Sequence, residues 1–362
     1  MAAPDDFDAW FRLLQTPGLG REGVRRLLAA FGSPEAALAA TPAALSELGG
    51  AALAATMARP APECEPRLAA ARAWLAGGDD HHVLTLGDPA YPPLLLQTAD
   101  PPLLLYVQGR PELLAAEAVA IVGSRDATPQ GLANAREFAQ ALAEAGFTVI
   151  SGLAAGIDGA AHEGALAAGG TTLAVVGTGP DRVYPARHKA LARRVVAHGA
   201  IVSEFDPGTP VLPENFPQRN RIIAGLARGT LVVEAALRSG SLITARLAAE
   251  AGREVFALPG SIRSPVARGC HALIKQGAAL VESADDVLEA LRGSRPAAAP
   301  QAPETDADPV LAALGHDPAT LDALLARTGW PTAELNARLL ELELDGRVAR
   351  LPGGLFQRRV AA

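Results

Sequence analysis

Between about residues 118 and 291, short apolar runs alternate with longer amphipathic stretches, and this alternation constrains the fold more than any other feature of the chain. Strands that alternate with helical stretches are typical of βαβ units, in which a helix connects each parallel strand to the next. The pattern therefore predicts an α/β domain with a doubly wound parallel sheet and helices on both faces. The expected strands are residues 119–122, 148–150, 173–176, 200–202, 231–233 and 255–257.

The expected strands end in glycine, serine or acidic residues, which gathers small and polar groups at one edge of the sheet. Gly123, Ser124 and Arg125 follow the first strand, and Ser151 and Gly152 follow the second. Open α/β sheets bind ligands at the carboxyl ends of their strands, so a site is expected at this edge. Because no second glycine stands two residues after the first, the GxGxxG fingerprint is missing and NAD binding is disfavoured.

Residues 216–226 carry the strongest indication of function, because two arginines flank an asparagine just before an apolar helical stretch. A serine-glycine-serine turn follows the next expected strand. Guanidinium groups bind phosphate oxygens in pairs, and phenylalanine can stack on a base whatever its identity. Such a set can hold several phosphates of an unpaired strand. The residues concerned are Phe216, Arg219, Asn220, Arg221, Ser239, Gly240 and Ser241.

A second polar group leaves a catalytic alternative open. Asp158 precedes the interior of an expected helix as an N-cap, and His162 lies one turn later on the same face. With Ser151 as nucleophile, these residues could form an acid–base set. A catalytic triad, however, needs the histidine within reach of the serine and oriented by a separate acid. Capping and packing explain the spacing more simply.

The densest basic run of the chain is residues 181–194, with five cationic side chains against one aspartate and with Tyr184 among them. Its alternative explanation is a solvated helix face. Lys275 is one of only two lysines and lies on an expected helix before the last strand. It is expected to point to the same edge of the sheet as the other candidates.

The remaining segments predict a four-part organisation. Residues 1–78 have short helical patterns and predict a small helical domain of the SAM or helix-hairpin-helix type, whose Gly18-Leu19-Gly20 turn could bind DNA phosphate or simply join two helices. Residues 79–292 form the sheet domain, and its first thirty or so residues, which are rich in proline and leucine, are expected to pack on the sheet as an extended segment. Residues 293–309 predict a flexible linker.

Residues 310–362 predict a winged-helix domain, with helices at 321–326 and 332–344 followed by a short hairpin. The second helix carries Glu334, Glu341 and Glu343 but only one arginine, Arg338. Such a helix is poorly suited to a DNA major groove, so protein contact or packing is favoured over DNA reading.

Charge and composition exclude several classes of protein. The net charge is −7, so nucleic-acid binding must depend on a local basic patch. Cys64 and Cys270 lack the spacing of a disulfide framework or a zinc site. No apolar stretch reaches the roughly 18 to 20 residues that span a bilayer. A cytoplasmic protein without metal or cofactor is expected.

The central motifs, read in order, resemble the DNA processing protein A family (DprA, also called Smf). They include VGSR, SGLAAGID, GTG, VYP, SEF, FPQRNRIIAGL, SGSLITA, ALPG and LIKQGA, and they extend over about residues 79–291. The resemblance implies an extended Rossmann-like fold, head-to-tail pairing into a homodimer, and a non-enzymatic single-stranded DNA binder that protects incoming strands. It further implies cooperation with the RecA recombinase in natural transformation and competence.

The resemblance also assigns residues. Glu234 is expected to hold an arginine in place, because a free carboxylate repels phosphate. The single-stranded DNA site is expected to comprise Ser124, Arg125, Ser151, Gly152, Phe216, Arg219, Asn220, Arg221, Gly240, Ser241 and Lys275.

Two other functions remain open at this stage. Rossmann-like phosphoribohydrolases cleave nucleoside monophosphates with a PGGxGTxxE loop, but the comparable loops here, which begin at Glu234 and Leu258, lack that signature. A nucleotide-sensing or foreign-DNA defence protein on the same fold is not excluded by the residues.

Overall fold

The computed structural model describes residues 6–59, 63–292, 308–315 and 318–359. Its first unit is helical, and Gly18 and Gly20 have φ of +78° and +59° in the turn between the first two helices, a backbone region that favours glycine. The fourth helix is interrupted at Gly50, as the Gly49-Gly50 pair predicts. The helices are α1 (Phe7–Leu14), α2 (Gly20–Phe31), α3 (Pro34–Leu38), α4 (Pro42–Met57) and α5 (Cys64–Leu75).

A nine-stranded sheet forms the centre of the molecule. Its order is β1-β2-β6-β5-β4-β3-β7-β8-β9, and all neighbours from β6 to β9 are parallel, whereas β2 is antiparallel to both β1 and β6. The strands are β1 (His81–Thr85), β2 (Leu104–Gly109), β3 (Ala118–Val122), β4 (Thr148–Ser151), β5 (Thr172–Val175), β6 (Ala200–Ser203), β7 (Gly229–Val232), β8 (Glu254–Ala257) and β9 (Ala279–Leu280).

All six expected strands are confirmed, with shifts of one or two residues at their ends. The segment after residue 79 differs from the expectation, because β1 and β2 extend the sheet itself instead of packing on it. The N-terminal helices share a core with these two strands: Phe11 and Leu27 pack in one cluster with Val83 and Tyr106. The added strands therefore join the helical unit to the parallel sheet.

Helices cover both faces of the sheet, as the doubly wound pattern predicts. One face is covered by α10 and α11, which pack through Ile222 and Ala245, and the other by α7 and α8, which pack through Phe138 and Ala161. The helices of this domain are α6 (Pro93–Leu96), α7 (Pro129–Glu144), α8 (Ile157–Ala167), α9 (Lys189–His198), α10 (Asn215–Leu226), α11 (Ser241–Glu250), α12 (Arg268–Lys275) and α13 (Ala284–Arg292).

The strand order creates one topological switch. The chain moves from β3 outward through β4, β5 and β6, then returns to the other side of β3 for β7 and moves outward again. The connections on the two sides of β3 consequently leave the carboxyl edge in opposite directions. Open α/β sheets have their ligand crevice at this point.

The C-terminal unit is a winged helix, as expected. Its three strands have the order β10-β12-β11. Residues 293–307 of the predicted linker 293–309 lie outside the described residues. Its last two residues, Asp308 and Pro309, belong to the C-terminal unit. The Asp308 carboxylate accepts from the backbone N–H of Val310 and caps α14. The elements are α14 (Pro309–Leu314), β10 (Ala319–Thr320), α15 (Leu321–Thr328), α16 (Thr332–Leu344), β11 (Val348–Leu351) and β12 (Leu355–Arg358).

Candidate nucleic-acid interface

A cavity of about 630 Å³ opens at the topological switch, and it is called the first cavity below. The loops after β3 and β7 and the first turns of α10 and α11 form its walls. Seven of the predicted site residues line it: Ser124, Arg125, Phe216, Arg219, Asn220, Gly240 and Ser241.

The rim of the first cavity combines an exposed cation with aromatic rings. The Arg125 guanidinium carbon lies 5.2 Å from the centroid of the Phe216 ring, and the Tyr184 ring lies 5.8 Å from the same ring. No carboxylate of the described residues pairs with Arg125. Its positive charge and a neighbouring ring face are therefore both available to a ligand.

The floor of the cavity contains Arg219, which is only 4% exposed. Its Nη1 donates to the Val175 carbonyl oxygen, and its Nη2 lies 3.9 Å from Oδ2 of Asp158. Burial lowers the pKa of Arg219 to about 10, although Asp158 acts in the opposite direction. Nη1 is thus committed to the protein, whereas Nε has no hydrogen-bond partner among the described residues. Arg219 shapes the floor, and its expected contact with phosphate stays a prediction.

Asp158 braces the turn before α8 instead of capping the helix. Its Oδ2 accepts hydrogen bonds from the backbone N–H groups of Gly152, at 3.1 Å, and Ala154, at 3.4 Å. The expected N-cap role is wrong, because Gly156 occupies the cap position of this helix. Burial raises the pKa of Asp158, and Arg219 and the two backbone donors oppose that rise.

Two predicted residues support the floor without facing the cavity. The Ser151 hydroxyl is fully buried, donates to the Ile121 carbonyl oxygen at 2.6 Å and does not line the first cavity, so its expected contact with DNA stays a prediction. Gly152 lies directly against Arg219, and a Cβ at this position would overlap the guanidinium group. Gly152 is thus needed for the close approach of Arg219, and it does not line the cavity itself.

His162 is part of the buried support, not of a catalytic set. The Thr172 hydroxyl donates to the Val149 carbonyl oxygen, so Nδ1 of His162 must be the donor in its 2.7 Å contact with that hydroxyl. Burial lowers the pKa of His162 to about 3. The structural explanation of the Asp158, His162 and Ser151 pattern therefore holds, since the serine bonds a carbonyl and the histidine a threonine.

Arg221 points away from the first cavity, contrary to expectation. It forms an ion pair with Glu204, and its Nη1 donates to the Asp100 carbonyl oxygen at 2.7 Å. The Asp100 carboxylate also pairs with Arg21, at 2.7 Å, and with Arg25 on α2. Arg221 therefore belongs to a charge network that fastens the N-terminal helices to the sheet domain.

Lys275 is exposed at the end of α12 and does not line the first cavity. The structure therefore does not bring Lys275 together with the seven residues that line the first cavity, and its contact with DNA stays a prediction.

Glu234 does not hold an arginine, which corrects the prediction. Its two carboxylate oxygens accept from the backbone N–H and the hydroxyl of Thr128, at 2.9 and 2.6 Å. The Thr128 hydroxyl in turn accepts from Gly131 at the start of α7. Burial raises the pKa of Glu234, and the two bonds from Thr128 oppose the rise. Its role is to fix the beginning of a helix.

Arg238 is the residue that the sequence analysis missed. It is exposed, lines the first cavity from the loop between β7 and α11, and pairs with no acid in the described part of the chain. The Asn220 amide donates to the Gly240 carbonyl oxygen at 3.3 Å and ties α10 to the loop that carries Arg238. The available signal was an arginine immediately before a serine-glycine-serine turn.

Across residues 6–59, 63–292, 308–315 and 318–359, no cluster of three histidine, cysteine or acidic side chains is arranged to hold a metal ion. Among the helices of the same segments, none is long and apolar enough to cross a membrane.

Three family models match consecutive parts of the chain. The model for "DNA recombination-mediator protein A" matches residues 82–292, more than half of the chain. A "DprA-like N-terminal HHH domain" model matches residues 5–64, and a "DprA winged helix domain" model matches residues 294–354.

Several known proteins are similar to the chain. Protein Smf of Escherichia coli is 45% identical over 78% of this chain and 79% of its own length. DNA processing protein DprA of Streptococcus pneumoniae is 49% identical over 56% of this chain and 71% of its own length. The crystal structure of DNA processing protein A from S. pneumoniae superposes with a TM-score of 0.67 at 38% identity, covering 77% of this chain and 96% of that one.

A second solved structure bears on the site. DNA processing protein A from Helicobacter pylori, described for its single-stranded DNA binding mode, superposes with a TM-score of 0.53 at 29% identity. It covers 58% of this chain and 95% of its own.

Proposed function

Because the chain belongs to the DNA processing protein A (DprA/Smf) family, we propose that it binds single-stranded DNA in the first cavity without hydrolysing it. In this proposal the protein acts as a homodimer in the cytoplasm, protects incoming strands during natural transformation, and helps to load the RecA recombinase onto them. The single-stranded DNA binding described for the H. pylori relative supports the choice of ligand.

The observation that carries the proposal is the rim of the first cavity. Arg125 and Arg238 are exposed cations without carboxylate partners in the described segments, and Phe216 presents a ring between Arg125 and Tyr184. Cations that bind phosphates, combined with rings that stack on bases, are the usual means of binding a single strand without sequence preference. A duplex buries the base faces in its own stack, so this rim favours an unpaired strand.

The hydrolase alternative lacks a free acid at this site. Asp158 is the one carboxylate residue among the residues that line the first cavity, and it is committed to Arg219 and two backbone donors. Glu234 is bound to Thr128. Turnover of a nucleoside monophosphate by purified protein, abolished by Glu234→Ala, would nevertheless replace the binding proposal with the enzymatic one.

The decisive experiment is a titration of labelled oligo-dT against a duplex of equal length, at about 0.05 and 0.2 M salt. We expect preference for the single strand and a log–log salt slope of about −0.7 for each phosphate neutralised. Arg125→Ala should weaken binding and make the slope shallower. The control is Arg246→Ala, because Arg246 is an exposed arginine on α11 that pairs with Glu250 and does not line the first cavity.

Equal affinity of wild type and Arg125→Ala, or equal affinity for single strand and duplex, would contradict the proposed site. The recombinase part needs its own measurement: the lag before DNA-dependent ATP hydrolysis by RecA on strands coated with a single-strand-binding protein. We expect this protein to shorten the lag. An unchanged lag, with strand binding intact, would restrict the function to binding and protection.

A further inference from the structure

The basic segment, residues 181–194, is not used by the first cavity except through Tyr184. Its five cations are exposed, and none pairs with a carboxylate among the described residues. Elsewhere many exposed arginines do pair, as Arg136 does with Glu163. The cations are Arg182, Arg187, Lys189, Arg193 and Arg194.

This arrangement is unfavourable for the protein alone. Lys189 is the first residue of α9, where the helix dipole favours acidic side chains, and that helix has no acid in its first turn. Arg193 follows one turn later, next to Arg194. The net charge of the whole chain is −7, so the cations do not reflect a generally basic surface. An anionic ligand would relieve both their mutual repulsion and the opposition of the helix dipole.

A second cavity, of about 540 Å³, lies beside this segment. Its polar and aromatic lining consists of Lys189 and Arg193 from α9, of Trp74, His81 and Gln108, and of one acid, Asp181. The Asp181 carboxylate accepts from the backbone N–H of Gly208 at 2.8 Å, so part of its capacity is already used by the protein. The Trp74 and His81 rings are stacked 4.2 Å apart at an interplanar angle of 5°. The second cavity thus combines a flat aromatic wall with a cationic wall, as the rim of the first cavity does.

The two cavities are connected by the segment itself. Tyr184 lines the first cavity, whereas its neighbour Val183 lines the second. The segment is held in place where it joins them, because Nδ1 of His188 lies 2.9 Å from the Leu153 carbonyl oxygen. Residues 182–194 therefore run from the first cavity, at Tyr184, to the second, at Lys189 and Arg193.

We propose that the DNA strand bound in the first cavity continues along residues 182–194 into the second cavity. In this arrangement Arg187, Lys189 and Arg193 bind consecutive phosphates, and the wall formed by Trp74 and His81 contacts a base. The inference rests on the proposed function, since it extends the path of the same ligand. It also gives the N-terminal helical unit, through Trp74, a direct part in binding.

The test compares oligo-dT lengths of about 4 to 20 nucleotides in wild type and Lys189→Ala/Arg193→Ala. Short oligonucleotides reach the first cavity only, so their affinity should be unchanged in the double variant. Long ones should bind several-fold more weakly, with a salt slope shallower by about 1.4, that is about 0.7 for each lost phosphate contact. The matched control is Arg136→Ala/Arg246→Ala, which removes the same charge from exposed ion pairs outside both cavities.

The outcomes separate this inference from the proposed function. If wild type binds oligonucleotides of no length, the proposed function fails. The second contact site is overturned if short oligonucleotides bind wild type and the double variant weakens binding of all lengths equally. It is also overturned if the double variant weakens binding of no length, or weakens it no more than the control variant does. A proximity readout completes the test: long oligonucleotides should quench tryptophan fluorescence in wild type but not in Trp74→Phe, whereas quenching retained in Trp74→Phe would place the strand elsewhere.

Discussion

Arg219 and Arg125 lie on the floor and on the rim of the same cavity, but their surroundings are opposite. Arg219 is 4% exposed and is held by the Val175 carbonyl oxygen and Asp158. Arg125 is exposed, has no carboxylate partner in the described residues, and lies over the Phe216 ring. One arginine is a structural part of the site, and the other is available to a ligand.

The difference follows from the cost of desolvation. A charge that is removed from water must be paired and hydrogen-bonded inside the protein, so a buried guanidinium is committed first to protein groups. An exposed guanidinium keeps its hydration until a phosphate displaces it. The floor should therefore determine stability and the shape of the cavity, while the rim should determine affinity and salt dependence.

The largest expected effect tests the floor. Asp158→Ala removes the counter-charge of buried Arg219 and the acceptor of the Gly152 and Ala154 N–H groups. Loss of one partner from a buried pair typically costs about 3 to 5 kcal/mol, and we expect the free energy of unfolding to fall by that amount in urea titrations. Arg238→Ala is the rim control and should change it by less than about 0.5 kcal/mol. Similar losses in both variants would remove the distinction between floor and rim.

The next effect concerns pH and separates the two regions again. His162 has its pKa lowered to about 3, first by burial and then by the charges of His188 and Arg219, from an ordinary value of 6.5. Protonation would also place an N–H at Nε2, which has no partner among the described residues. Because the folded state disfavours protonation of His162, the stabilisation that depends on the neutral ring is complete above pH 6.5 and is lost as pH falls towards 3. The free energy of unfolding should fall by about 1.4 kcal/mol for each pH unit in that range.

Urea titrations at several pH values check this prediction, with His162→Gln as the comparison. The variant should be less stable than wild type near neutral pH but should lose less stability on acidification. DNA affinity, by contrast, should change little across those pH values of this range at which the protein stays folded, because the rim arginines stay charged. An identical acid sensitivity of wild type and His162→Gln would show that another group controls it.

The sequence predicted the architecture well because strand burial leaves a regular apolar pattern. All residues of β3 are buried, and its apolar run is readable without any tertiary information. Strand β9, by contrast, has only two residues, and both are exposed, so no such pattern marks it. The antiparallel strands β1 and β2 were obscured by the prolines that surround them in the sequence.

The site was only partly predictable, because motif membership does not determine where a side chain points. Arg219 and Arg221 are two residues apart on α10, and one turns into the floor while the other turns towards Glu204 and the N-terminal helices. Helical periodicity predicts that the two side chains point in different directions. It does not reveal their partners, because these come from distant segments of the chain. Arg238 was missed for the opposite reason, since an exposed loop arginine has no pattern that distinguishes it from other surface residues.

A smaller effect is expected at the rim. Arg238→Ala should weaken oligo-dT binding by a few-fold near 0.15 M salt and make the salt slope shallower by about 0.7, the value for one phosphate. Arg238→Lys should restore most of the slope, because the lysine keeps the charge. Fluorescence anisotropy at graded salt concentrations measures both quantities. Unchanged oligo-dT affinity in Arg238→Ala would mean that DNA contacts the part of the rim that carries Arg125 but not Arg238.

The smallest effect is expected at Lys275, and it tests whether position matters more than charge. Lys275→Ala removes one positive charge, as Arg125→Ala does, but at the end of α12 and at a residue that does not line the first cavity. If DNA follows the rim, oligo-dT affinity in Lys275→Ala should stay within about twofold of wild type, since salt screens an exposed charge that does not contact the strand. A loss equal to that of Arg125→Ala would mean that the strand also reaches α12, and the separation of floor and rim would no longer describe the whole binding surface.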